Sequence, residues 1–140
     1  DMLKEFDIPY VVRVLGAHRT PNETLKLAEE AMDNGIRVFI AGAGGAAHLA
    51  GVIASSTPLP VIGVPMQTSA LGGLDSLLSI VQMPGGIPVA TTAIGKAGAK
   101  NAAILAAQMI GLADPAVMQK VIDFKKAQAE KVLANSYLDK

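Results

Sequence analysis

The stretch Arg37-Val-Phe-Ile-Ala-Gly-Ala-Gly-Gly-Ala-Ala-His-Leu49 decides the fold of this chain. A short apolar run, Arg37 to Ala41, leaves through Gly42 to Gly45 and enters an alanine-rich segment. That pattern predicts a buried strand, a tight turn and a helix reaching about Ser55. Three similar runs, Val11 to Leu15, Pro60 to Val64 and Pro88 to Ala93, alternate with longer helical patterns. Repeated strand and helix predict an α/β fold with a parallel sheet covered on both faces.

The helices have readable ends. Thr20 is placed to cap the first, with Pro21 at the first helical position and Glu23 completing a capping box. Its apolar stripe, Leu25, Ala28 and Ala31, stops at Asn34-Gly35. A short helix is expected over Leu74 to Val81, and an alanine-rich one over Ala99 to Ile110. Asp114-Pro115 repeats the cap-plus-proline start and opens a helix to about Ala134, with Val117, Val121, Phe124 and Val132 near one face. This last helix is the expected subunit contact.

At 140 residues the chain makes one domain. Its residues are 51% hydrophobic but only 4% aromatic, so the core is built from Ala, Val, Ile, Leu and Met. Zero formal net charge and the absence of a Lys/Arg run argue against nucleic acid and anionic membranes as partners. With no cysteine there is no disulfide, thiolate nucleophile or thiolate metal ligand, and a reducing cytoplasm is the expected compartment.

Ligands of parallel α/β sheets sit beyond the carboxyl ends of the strands, and both histidines fall there. Gly16-Ala17-His18-Arg19-Thr20-Pro21 sets an imidazole and a guanidinium beside a helix start, a plausible anion site. The plainer alternative is a histidine that only caps or packs and an arginine in a surface ion pair. In Ala41 to Leu49 the glycines let backbone approach a ligand closely. Gly42, Gly44 and Ala47 also satisfy a dinucleotide-binding pattern, but that fold needs an acid about twenty residues on. No Asp or Glu lies between Asp33 and Asp75. His48 could instead be a helix residue making a buried hydrogen bond. Gly63 to Pro84 reads as a glycine-rich loop that shapes or covers a pocket, with Asp75 as a helix cap and Met66 and Met83 as packing.

Together, Ala17-His-Arg-Thr-Pro21, Ala41-Gly-Ala-Gly-Gly-Ala-Ala-His-Leu49, Leu71-Gly-Gly-Leu-Asp-Ser-Leu-Leu-Ser-Ile-Val-Gln-Met-Pro84 and Asn101-Ala-Ala-Ile-Leu-Ala-Ala-Gln108 resemble the class I PurE family. The resemblance implies a flavodoxin-like three-layer α/β/α sandwich. It also implies a homo-octamer in which C-terminal helices pack on neighbouring subunits. The implied activity is an isomerisation in purine biosynthesis: a carboxylate moves from N5 to C4 of an aminoimidazole ribonucleotide through CO₂ held in a closed pocket, with no cofactor, ATP or metal. One group must donate a proton to nitrogen and later take one from carbon, and imidazole as a side-chain type suits both tasks. By the resemblance His18 is that group, and Arg19 contacts the substrate phosphate and ribose. His48, expected to be catalytic with His18, forms with Ala43, Gly44 and Leu49 the loop against the ring and carboxylate, and Gly16, Ala17 and Gly45 complete the substrate-binding set. Carboxylases of the related animal-type class carry Lys at the Arg19 position and lack the glycine-alanine-histidine run, which favours the mutase.

Three departures from the family pattern bear on this. The family begins with a strand and Gly-Ser-x-Ser-Asp, whose Ser and Asp hold the ribosyl phosphate, and nothing of that kind precedes Asp1. That strand belongs between the runs at Val11 and Arg37. Its omission would leave ladder groups unpaired at about 1 to 3 kcal/mol each, so Asp1 is expected not to be the natural start. Gly16 stands where the family has Ser, with weaker substrate binding expected, and Ala50 stands where it has Pro, with a looser loop expected. The rival expectations are a CO₂-using carboxylase and a catalytically inactive nucleotide-binding subunit.

Overall fold

The computed structural model describes residues 1–137. Three parallel strands, β1 (Phe39–Ala43), β2 (Val61–Pro65) and β3 (Ala90–Thr91), lie in the order β1-β2-β3. Around them run α1 (Met2–Glu5), α2 (Pro21–Glu29), α3 (Leu49–Ser56), α4 (Leu74–Val81), α5 (Lys96–Gly111) and α6 (Pro115–Ala134). In β1 and β2 Phe39 pairs with Val61, and the register runs to Ala43 with Pro65.

Strand alternation sorts the core into two faces. Phe39, Ala41 and Val61 pack with Ala28 and Ala31, with Ala47, Ala50 and Ile53 around α3, and with Ile80 of α4. Ile62 and Val64 point the other way, onto Ala102 and Ala106 of α5. The result is the expected three-layer α/β/α sandwich. Behind α5 a further cluster joins Phe6 and Ile8 to Val117 and Val121 of α6, and Phe6 meets Phe124 edge-on at 5.5 Å. Val132, expected on the same face, is exposed.

Small residues let these layers close. All five residues of β2 are buried, and a Cβ on Gly63 would lie 2.4 Å from Ile80 and 2.9 Å from Val89. A Cβ on Gly98 would sit 1.6 Å from the Ala93 carbonyl oxygen. Ala50 lies in α3 and is fully buried against β2.

Helices α4 and α6 occupy the expected spans. Asp114 caps α6 by accepting from the Ala116 and Val117 amides at 3.0 and 3.3 Å. Other expectations need correction. Thr20 makes no side-chain cap on α2, so the capping box does not form; its hydroxyl turns back to Gly16 instead. Asp75 does not cap α4, whose N-cap is Gly73 at φ 101°. Helix α5 begins a turn before Ala99. The strand expected over Arg37 to Ala41 starts later and carries Gly42 and Ala43, because its ladder begins where the Phe39 amide meets the Pro60 carbonyl and ends where Met66 donates to Ala43. Of Pro88 to Ala93 only Ala90 and Thr91 pair, as residues of an edge strand.

The run Val11 to Leu15 is not a strand. It has no ladder partner, and Val11, Val12 and Val14 are 77%, 77% and 97% exposed. The amide of Phe39 and the carbonyl of Ala43 face β2, so by alternation Ile40 and Gly42 turn their backbone groups to the opposite, open edge. Between that edge and Val11 to Leu15 runs a groove of about 680 Å³, lined by Tyr10, Val14, Ile40, Ile53, Ile110 and Val117 among others.

Two outcomes test this packing. Gly98→Ala is expected to lower stability by about 3 kcal/mol or more, because rigid backbone blocks the methyl; a denaturant titration within about 0.5 kcal/mol of wild type would contradict it. Gly63→Ala is expected to lower the thermal midpoint by several degrees, because its methyl would press on Ile80 and Val89, while an unchanged midpoint would mean that those side chains yield without cost.

Candidate active site

A turn ahead of α2 and the exit of β1 build the site. The first is the turn Gly16 to Thr20, closed by a single side chain. The Thr20 hydroxyl accepts from the Gly16 amide at 2.9 Å and lies 3.2 Å from the Gly16 carbonyl, which also takes the Thr20 amide at 3.0 Å. Helix α2 anchors the turn from below, where the buried Thr24 hydroxyl donates to the Thr20 carbonyl at 2.9 Å. His18 and Arg19 stand on the turn, both exposed. The ion pairs among the described residues are Lys26–Glu30, Lys120–Asp7 and Lys126–Glu130, so Arg19 belongs to none of them.

The second is the glycine-rich loop after β1. His48 ends it as the N-cap of α3, and its side chain caps nothing. Instead His48 Nδ1 lies 2.8 Å from His18 Nε2, with ring centroids 4.9 Å apart and the planes at 82°. One nitrogen of this pair must donate and the other accept. His48 is exposed, so the buried-histidine alternative is set aside. His18 Nδ1 and His48 Nε2 take no part in this bond, and each is free to face a ligand.

A pocket of about 240 Å³ opens here, lined by Ala17, His18, Arg19, Ala43, Gly44, Ala46, His48 and Leu49. Seven of these eight are residues expected from the sequence, and Ala46 joins them. Gly16 and Gly45 lie one layer back. The backbone of Gly16 is used within the turn, and that of Gly45 is tied to α4. The serines of α4, Ser76 and Ser79, were not expected from the sequence. Their one signal is a pair of small polar residues three apart, on one face of a helix that is apolar but for them and Asp75. Among the described residues no group of three His, Asp or Glu stands together as a metal site.

The site combines a hydrogen-bonded pair of proton carriers, a guanidinium suited to phosphate, and a close backbone wall. It can bind an anionic ring compound and move protons on it.

The chain is similar to known proteins over most of its length. The model of the family described as "AIR carboxylase" matches residues 1–131. A Pseudomonas aeruginosa protein named N5-carboxyaminoimidazole ribonucleotide mutase is 57% identical over 135 residues, covering 96% of this chain and 83% of its own length. A Bacillus subtilis protein of the same name is 55% identical over 136 residues, covering 97% and 84%. Among solved structures, Treponema denticola PurE superposes with a TM-score of 0.86 at 27% identity, covering 96% of this chain and 82% of that one. The flavodoxin-like α/β fold expected from the sequence is therefore the fold of the chain.

Because one hydroxyl closes the His18 turn, Thr20→Val is expected to cost about 1 to 3 kcal/mol through the unpaired Gly16 amide. It should also broaden or shift the NMR signals of both imidazoles, and sharp, unmoved ring signals in a folded variant would contradict this account of the turn.

Proposed function

The chain belongs to the AIR carboxylase family, and from that premise we propose that it works as an N5-carboxyaminoimidazole ribonucleotide mutase through the paired imidazoles of His18 and His48. It is an enzyme of purine biosynthesis, an isomerase that moves a carboxylate from N5 to C4 of its ribonucleotide substrate.

The observation that carries the mechanism is the 2.8 Å contact between His18 Nε2 and His48 Nδ1 at the mouth of the shared pocket. The N5–carboxylate bond breaks and releases CO₂, leaving its electron pair on N5, and the imidazolium of His18 donates a proton there. The electron-rich ring then forms the new bond from C4 to the held CO₂. His18, now neutral, takes the C4 proton and is restored, so no proton is gained or lost over the cycle. His48 Nδ1 accepts from His18 Nε2 and keeps the His18 ring turned while His18 Nδ1 works. Arg19 grips the phosphate with paired N–H groups. Ala17, Ala43, Gly44 and Leu49 bring backbone and small side chains close to the ring and carboxylate, backed by Gly16 and Gly45. A wall this close keeps CO₂ beside C4 and raises its effective concentration.

A homo-octamer in the cytoplasm suits this reading. Leu71, Leu74, Leu78 and Val81 form an exposed apolar stripe on and beside α4, and Ile122, Val132 and Leu133 are exposed on α6. Patches of this kind mark protein contacts. Sedimentation is expected to report a mass near eight times the 14.4 kDa of the chain, and a monomer at micromolar concentration would contradict the octamer.

Turnover of N5-carboxyaminoimidazole ribonucleotide without added bicarbonate tests the activity. A requirement for bicarbonate would assign a carboxylase instead, and no turnover with retained ligand binding would assign an inactive subunit. His18→Asn is expected to lower kcat by roughly 10²- to 10⁴-fold with a far smaller change in KM; unchanged turnover removes His18 from the mechanism.

A further inference from the structure

We infer that Ser76, seconded by Ser79, is a positioning residue that sets where the glycine-rich wall of the histidine pocket stands. This rests on the mutase reading and deepens it.

The loop after β1 has little packing of its own at the point where it turns. Gly45 adopts the left-handed conformation at φ +69°, and a side chain there would touch nothing within 4 Å. Its conformation is therefore open to any glycine-accessible alternative unless hydrogen bonds choose one. Both of its backbone groups are chosen by α4. The Gly45 amide donates to Ser76 Oγ at 2.9 Å, and its carbonyl accepts from Ser79 Oγ at 3.1 Å.

Ser76 is the stronger tie. It is fully buried, and its own proton goes to the Met66 carbonyl at 2.7 Å. One hydroxyl thus joins the residue just past β2 to the loop just past β1. Ser79 is half-buried and divides its single proton between Gly45 and the Asp75 carbonyl at 2.7 Å. Helix α4 is itself pinned to the loop after β2. The Thr68 hydroxyl donates to the Asp75 carboxylate at 2.7 Å and accepts from the Gly73 amide at 3.1 Å. The clamp therefore has a fixed base.

What it fixes is the pocket. Gly44 lines the pocket wall, and a Cβ there would lie 3.3 Å from Met66 Cβ and 3.8 Å from Ser76 Oγ. Three residues beyond Gly45 comes His48, whose amide donates to the Ala46 carbonyl at 2.9 Å. A change at Gly45 shifts the wall on one side and His48 on the other. Since His48 bonds His18, it reaches the proton carrier as well.

The test compares Ser76→Ala, Ser76→Cys and Ser79→Ala with wild type in the N5-carboxyaminoimidazole ribonucleotide assay, with unfolding midpoints measured alongside. Ser76→Ala is expected to lower kcat by about 10- to 100-fold while KM moves less than about threefold, the signature of a displaced wall. Ser76→Cys retains a weak donor and acceptor and should recover part of the loss, and Ser79→Ala should lose less than Ser76→Ala. Without substrate, the Gly45 amide should exchange its hydrogen faster in Ser76→Ala than in wild type, relative to amides of β2. Wild-type kcat and KM in a folded Ser76→Ala, or unchanged Gly45 exchange, overturns the inference. If Ser76→Ala does not fold, wild-type kcat in Ser76→Cys together with wild-type kcat in Ser79→Ala overturns it. Inactivity of the wild type itself sinks the mutase reading instead, and the exchange measurement still decides whether the clamp exists.

Discussion

The site depends on the parallel register that holds β1 against β2. Pairing Phe39 with Val61 and Ala43 with Pro65 ends both strands at one level. The loops that leave them, with Gly44 after β1 and Met66 after β2, then meet side by side. Helix α4 can span the two loops with one serine only because they emerge together. The same level brings His48 to the turn of His18, thirty residues earlier in the chain. Buried β2 makes this register costly to slip, because a shift by one residue would exchange the two faces of its core.

Small side chains are the other half of the construction. The absence of a Cβ at Gly63 allows α3 and α4 to approach the sheet, its absence at Gly98 lets α5 close on the Ala93 segment, and Ala50, Ala102 and Ala106 continue the pattern. A chain with few aromatic residues gains its core by closeness rather than bulk. That closeness carries over to the pocket, whose wall is Ala43, Gly44 and Ala46. A small-residue wall lets main chain stand against a flat ring, and it leaves the charged and protic work to three side chains.

Much of this was legible in the residues. Helix α6 was readable from Asp114-Pro115 because its signal is local, a carboxylate two and three residues before the amides it caps. That both histidines line one pocket was readable because each follows an apolar run. Thr20 misled because the same hydroxyl can serve a cap or the turn behind it, and tertiary closure of the Gly16 turn decides. Val11 to Leu15 has strand composition, yet a strand needs a partner, and the adjoining groove separates it from β1. Ser76 was hidden for the opposite reason. Its two partners are backbone groups distant in sequence, and no pattern in α4 names them.

The central claim is that CO₂ released at N5 stays beside C4 while the His18 imidazole moves one proton between those atoms. The most direct measurement is turnover of substrate carrying ¹³C in its carboxylate, in buffer rich in unlabelled bicarbonate, with the label in the product read by mass spectrometry. Retention of nearly all the ¹³C at C4 is the result this account predicts. Dilution of the label toward that of the buffer would contradict it.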